Sequence, residues 1–323
     1  MNVLEKLSES VEFYKKIKFT KIENQENILI YGISRGGTTM LANALTKTLD
    51  ARLIWEPLFK YNKVFLKRVN PYSTYPYTEF KLGWHPNLPT QGTVEINNYF
   101  DDLFSMRERN IRFLRFNNWD RFKTSKKTIF KFCFGNFMYP YFQNRYNYKS
   151  IVLLRHPFAI ASSSLGYGDN FDWHKTNFNI WKYMDNELNP GFFKNINNKI
   201  ETINSPFELI VFQVVSQFSY VLDQLDTSNS IFIFYEDLLL NPKGEVNKIE
   251  ALLGYEIDRE QFLNIIKKPS FSSKKGHTNT NAMEQLTKWQ KKCTEEDVQG
   301  GLKIFKSFNF NHYDDNPLPK SIK

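Results

Sequence analysis

Two cysteines are all that 323 residues contain, Cys133 and Cys293, far apart and in no metal-ligand spacing. That excludes a disulfide scaffold and a structural zinc site, which needs clustered Cys or His ligands, and no metal is expected. Long apolar runs are also missing. Nothing in the chain has the length to span a bilayer, and the N-terminus lacks the apolar core of a signal peptide, so a cytoplasmic location is the expectation. There is no internal repeat and no low-complexity linker, and the length suits a single domain over 1–323. Acidic residues are in deficit, 34 against 43 Lys and Arg, for a net charge of +9 that favours anionic partners. Nucleic acid, an anionic membrane surface and a polyanionic cofactor fit that charge equally well. The lysines are scattered and follow no nucleic-acid motif, so a nucleic-acid partner is not expected. Aromatic residues are plentiful at 16%, with 30 Phe and 17 Tyr, which indicates a ring-rich core or cleft.

Short apolar runs at Ile28–Tyr31, Leu53–Trp55, Thr128–Phe134, Ser150–Leu154 and Ile231–Phe234 predict buried strands. Three- and four-residue apolar spacing predicts helices after several of them: Met40–Leu49, Phe158–Leu165, Leu209–Leu225 and Glu295–Phe305. Asn241 and Pro242 open a further helix that Gly254 closes. An amphipathic N-terminal helix is expected within residues 1–25, packed on the domain. Residues 58–128 and 166–205 lose regular periodicity and collect prolines and aromatics, among them Trp84, Trp119, Trp173 and Trp181. Such stretches suit substrate-cap insertions. Strands alternating with helices indicate α/β, a three-layer α/β/α domain around a mainly parallel sheet.

Tyr31-Gly32-Ile33-Ser34-Arg35-Gly36-Gly37-Thr38-Thr39-Met40 joins the first strand to the first helix. Strand, glycine loop and helix aim backbone N–H groups and a helix N-terminus at a phosphate, and Thr38 and Thr39 add hydroxyls. The Gly32 to Gly37 spacing imitates the nucleoside-triphosphate loop, but Thr38 stands where that loop has its lysine. The cation, Arg35, comes earlier. A P-loop nucleotide phosphotransferase or kinase is therefore the weaker alternative, because the lysine normally reaches the terminal phosphates.

Three further segments follow in order: Arg155-His156-Pro157 with Ser162-Ser163, Tyr235-Glu236-Asp237-Leu238, and Ser272-Ser273-Lys274-Lys275-Gly276. An arginine fork leaving a strand, with a serine on the next helix, can grip one anion. Taken with the first loop, the four segments resemble the sulfotransferases that use 3′-phosphoadenosine 5′-phosphosulfate (PAPS). That resemblance implies a P-loop NTPase-like fold and transfer of a sulfuryl group from PAPS, as co-substrate, to an acceptor hydroxyl, leaving 3′,5′-ADP and needing no metal. It places Arg35, Gly36, Gly37, Thr38 and Thr39 on the 5′-phosphosulfate. Arg155, Ser163, Ser273, Lys274, Lys275 and Gly276 fall at the 3′-phosphate, and Tyr235 near the adenine.

Arg35 and the pair Glu56-Pro57 look more like the carbohydrate and tyrosyl-protein branches than the cytosolic small-phenol type, so a sugar or glycolipid acceptor is expected. The same resemblance makes Glu56 the base, with His85 and His174 as competitors, and Lys131 a second cation beside Arg35. A lysine in an otherwise apolar strand costs stability unless it is paired or functional. His156 is expected to support the anion site. Ser34 and Gly36 depart from the family's usual proline and serine, which keeps a non-catalytic PAPS-binding homologue as an alternative.

Overall fold

A computed structural model describes residues 22, 26–58, 85–107, 117, 119–166, 187–200, 203–268 and 281–320. Five strands, β1 (Glu26–Tyr31), β2 (Arg52–Trp55), β3 (Lys127–Phe132), β4 (Lys149–Leu154) and β5 (Ser230–Phe234), form one sheet in the order β2-β3-β1-β4-β5. Every neighbouring pair is parallel. Because side chains alternate across a strand, each strand feeds two cores. Leu29, Tyr31, Phe130, Phe132, Val152 and Leu154 face one, while Ile28, Ile30, Ile129, Ile151 and Leu153 face the other.

Helices cover both faces, which completes the expected three layers. On the side of Ile28 and Ile30 lie α1 (Thr38–Thr48), α8 (Tyr235–Leu240), α9 (Pro242–Leu253), α10 (Arg259–Ile266) and α11 (Ala282–Thr287). On the other lie α2 (Val94–Phe104), α3 (Trp119–Thr124), α4 (Tyr139–Tyr146), α5 (Pro157–Leu165), α6 (Phe192–Asn197), α7 (Pro206–Asp223) and α12 (Glu295–Ser307). This second core is built largely of rings, where the aromatic excess is spent. Phe104, for example, meets Phe130, Phe142 and Tyr146 edge to face at 4.8–5.2 Å.

Local signals place the helix ends. Ser205 caps α7 by accepting the Glu208 N–H, with Pro206 at its first position, so α7 begins three residues before Leu209, where the sequence pattern starts it. Thr294 and Asp297 form a reciprocal capping box on α12. Gly254, at φ 81°, ends α9. Two helices arise within the stretch 58–128 that the sequence marks as irregular, α2 and α3. The first buries Ile96, Tyr99, Phe100, Leu103 and Phe104, a helical spacing hidden among Asn and Asp, and Thr93 caps it. The N-terminal helix expected within 1–25 lies outside the described residues apart from Ile22. Among the described residues no helix is long and apolar enough to cross a membrane.

Topology fixes where a ligand belongs. From β1 the chain leaves toward β2, and from β4 it leaves toward β5, so the connections of these adjacent strands diverge. The crevice beyond their carboxyl ends is the switch point at which open parallel sheets bind ligands.

Candidate active site

The loop after β1 turns tightly at that crevice. Gly36 donates its N–H to the Ile33 carbonyl at 2.8 Å, and Gly37, at φ 90°, starts α1 by accepting from Met40 and Leu41. A side chain at Gly37 would be strained at that φ and would overlap the Tyr235 ring. Arg35 also sits in the left-handed region, at φ 70°. A non-glycine residue there is uncommon and marks a backbone held by its surroundings. Asn136, buried at the start of the short 3-10 turn Asn136–Met138, fixes the loop from below. Its amide donates to the Gly32 carbonyl and to Gln217 Oε1, each at 2.9 Å. Sequence reasoning missed this brace, since its partners lie on distant elements.

Three of the expected anion ligands converge on the loop. Arg35 Nε donates to Ser163 Oγ at 3.2 Å, and Arg155 Nη1 donates to the Arg35 carbonyl at 2.6 Å. The Arg155 guanidinium lies over the Tyr235 ring, 4.5 Å from its centroid, and its Nε is buried with no hydrogen-bond partner among the described residues. Tyr235 itself is buried between Arg155 and Gly37, and its hydroxyl accepts from Gln285 Nε2 at 2.7 Å. These partners join the ends of β1, β4 and β5 into one cationic cradle around the N-terminus of α1, where unpaired N–H groups favour an anion.

The second part of the site is a buried charge cluster at the ends of β2 and β3. Lys131, 2% exposed, donates to Glu56 Oε1 at 2.6 Å and to Cys133 Sγ at 3.0 Å. Glu56 Oε2 accepts the Cys133 N–H at 3.0 Å, and the Glu56 N–H donates to the Lys131 carbonyl at 2.9 Å. The partner of Glu56 is thus Lys131. Glu56, at φ 50° just before Pro57, makes the sharp exit that turns its carboxylate back over β3. Lys131 also lies 5.0 Å from the Trp55 ring centroid.

Burial presses the Lys131 ammonium toward neutrality, but Cys133 and Glu56 outweigh it, and its pKa ends above the ordinary lysine value. Burial pushes the Cys133 thiol up to about 11, so it is a neutral thiol at pH 7. Thr38 Oγ1 lies 3.3 Å from Cys133 Sγ, which ties the first residue of α1 to the cluster. The contribution of Cys133 was not legible in sequence, where a thiol with no partner in spacing gave no signal.

His156 and His85 are both buried and held neutral, each with its pKa lowered to about 3 by burial. His156 caps α5, its Nδ1 accepting the Phe158 N–H at 3.1 Å, while Nε2 faces the Asp314 and Asn316 carbonyls at 3.1 and 3.0 Å. It stands directly after Arg155 in the chain. His85 packs near Phe134 and Phe137. Thr39 opens α1 beside Thr38. His174, Trp84, Trp173, Trp181, Ser273, Lys274, Lys275 and Gly276 lie outside the described residues. Among the described residues no group of three or more His, Cys, Asp or Glu could hold a metal ion.

The family described as "Sulfotransferase domain" matches residues 25–303, from before the glycine loop into α12. The chain belongs to the sulfotransferase family. Solved structures with similar folds include a sulfotransferase domain from the olefin synthase of Synechococcus PCC 7002. It is 15% identical with TM-score 0.48, over 93% of this chain and 98% of that one. A mouse sulfotransferase complexed with PAP is 14% identical with TM-score 0.43, over 92% of this chain and 89% of that one. A retinol dehydratase complexed with retinol and PAP is 17% identical with TM-score 0.42, over 96% and 88%. No curated protein sequence matches the chain. Within this sulfotransferase domain the Thr38–Cys133 contact joins the cationic cradle to the Lys131–Glu56 cluster.

Proposed function

We propose that the chain transfers a sulfuryl group from PAPS to a hydroxyl of a sugar or glycolipid. The observation that carries the reading is the convergence of Arg35, Ser163 and Arg155 on a glycine loop that lacks the lysine of nucleoside-triphosphate sites. Two cations at the ends of different strands, one with a buried Nε that has no hydrogen-bond partner among the described residues, suit a ligand that carries anions at both ends. PAPS is such a ligand, and it supplies the activated sulfuryl group when bound. Gly36, Gly37, Thr38, Thr39 and Arg35 would hold the 5′-phosphosulfate at the N-terminus of α1. Arg155 and Ser163 would hold the 3′-phosphate, with Ser273, Lys274, Lys275 and Gly276 completing that end. Tyr235 would serve near the adenine as a wall that orients Arg155 and sets the path of Gly37.

Glu56 is the proposed base. Each of its oxygens already accepts one bond, and each keeps a second lone pair for the acceptor hydroxyl. Lys131 holds the carboxylate in place and supplies positive charge as negative charge builds on the oxygens in flight. Arg35 and the α1 N-terminus would stabilise the departing phosphate. As in phosphoryl transfer, positioning and electrostatics do the catalytic work, and the chain's net charge of +9 draws a polyanionic substrate in. The sugar preference is supported by Arg35 and Glu56-Pro57. The test is transfer of labelled sulfate from PAPS to panels of glycan, glycolipid and phenol acceptors. Sulfation of a glycan or glycolipid is expected, and sulfation of phenols alone would overturn the acceptor class.

A further inference from the structure

Residues Phe308–Lys320 continue past residue 303, where the family match ends, and return beneath the cationic cradle. Phe308, Phe310 and Tyr313 are buried, and Phe310 stacks on Tyr313 and meets Phe305 edge to face at 5.5 Å. This strap makes two ties. Tyr313 donates its hydroxyl to Glu236 Oε2 at 2.7 Å, while Glu236 Oε1 accepts the His156 N–H at 3.0 Å. His156 Nε2 in turn donates toward the Asp314 and Asn316 carbonyls, and its ring packs 4.6 Å from Trp289 and 4.8 Å from Tyr313.

Glu236 and His156 stand directly behind the cradle in the chain: Glu236 follows Tyr235, and His156 follows Arg155. One carboxylate therefore clamps the ends of β4 and β5 together, and Tyr313 holds that carboxylate from the side away from the crevice. A buried carboxylate tolerates few losses among its donors, because water is not there to replace them.

We infer that the strap Phe308–Lys320 positions Arg155 of the nucleotide site for the 3′-phosphate, with Tyr313 as a positioning residue acting through Glu236 and His156. The inference rests on the reading of Arg155 as a 3′-phosphate ligand. Linkage makes the effect reciprocal: a ligand that engages Arg155 must also steady the strap.

Tyr313→Phe keeps the ring and removes the tie. It should lower affinity for 3′,5′-ADP about tenfold while leaving affinity for 5′-AMP unchanged, since only the former carries the 3′-phosphate. A loss shared equally by both nucleotides, or no loss for either, would overturn the inference. Lys320→Ala, which breaks the exposed ion pair with Asp314 on the strap's outer side, is the control and should leave the ratio of the two affinities as it is. If Tyr313→Phe does not fold, amide hydrogen exchange on the unaltered protein decides. There 3′,5′-ADP, and not 5′-AMP, should slow exchange across 308–320, and equal slowing or none overturns the inference. A wild-type protein indifferent to the 3′-phosphate would instead remove the reading of Arg155 on which this one stands.

Discussion

An ammonium group buried in a parallel sheet survives only if its charge is answered, and the Glu56 carboxylate answers Lys131, with Cys133 Sγ as a second hydrogen-bond acceptor. Removing half of such a pair strands the other half. Lys131→Met should therefore lower stability by about 3–5 kcal/mol, measured by denaturant unfolding. Lys131→Met with Glu56→Gln should recover part of that loss, because the glutamine carbonyl can still accept the Cys133 N–H. Equal loss in the single and double variants would show that the pair does not carry the effect. For chemistry the informative change is Glu56→Gln alone. It should reduce sulfuryl transfer by about 10²–10⁴-fold while 3′,5′-ADP still binds. The glutamine amide then faces a donor at Lys131 or Cys133, so some loss of stability should accompany it. Transfer that persists would place the base elsewhere.

At the scale of elements, the turn into α1 is the demanding one. Gly37 combines φ 90° with contact against the Tyr235 ring, so Gly37→Ala should cost about 1–2 kcal/mol from the left-handed backbone alone and more from the displaced ring. Nucleotide affinity should fall with it in a binding titration, because the same ring backs Arg155. An alanine variant with native stability and affinity would contradict this view of the loop. The strands and the loop were legible in sequence because buried parallel strands are short apolar runs bounded by breakers, as Ile28–Tyr31 and Ser150–Leu154 are. Helix α2 escaped because Asn97, Asn98, Asp101 and Asp102 dilute its apolar stripe within a proline- and aromatic-rich surround. In the site, single residues with a chemical signature were legible: Arg35, Glu56, Lys131 and Arg155. Residues defined by their contacts were not. Asn136, Cys133 and Tyr313 act through partners that only the folded chain brings near.

Across the whole molecule, the crevice depends on two strands whose connections diverge and on buried groups that brace it from both cores. His156 shows what that bracing costs in acid. Its pKa is about 3 in the folded protein against an ordinary 6.5, so below pH 6.5 the unfolded chain takes up a proton that the folded chain refuses. Stability then falls as pH drops from 6.5 toward 3, by about 1.4 kcal/mol per pH unit for this histidine. His156→Asn keeps a side chain able to cap α5 and should make the unfolding free energy less steep across that window. An unchanged slope would mean that His156 is not the group responsible. The central claim concerns the ligand that the brace serves, a nucleotide with anions at both ends. Thermal unfolding with 3′,5′-ADP, 5′-AMP and ATP with magnesium tests it most directly, since a ligand at a hundred times its Kd adds about 2.7 kcal/mol. The largest rise in Tm is predicted for 3′,5′-ADP. An equal rise with all three nucleotides, or the largest with ATP and magnesium, would contradict it.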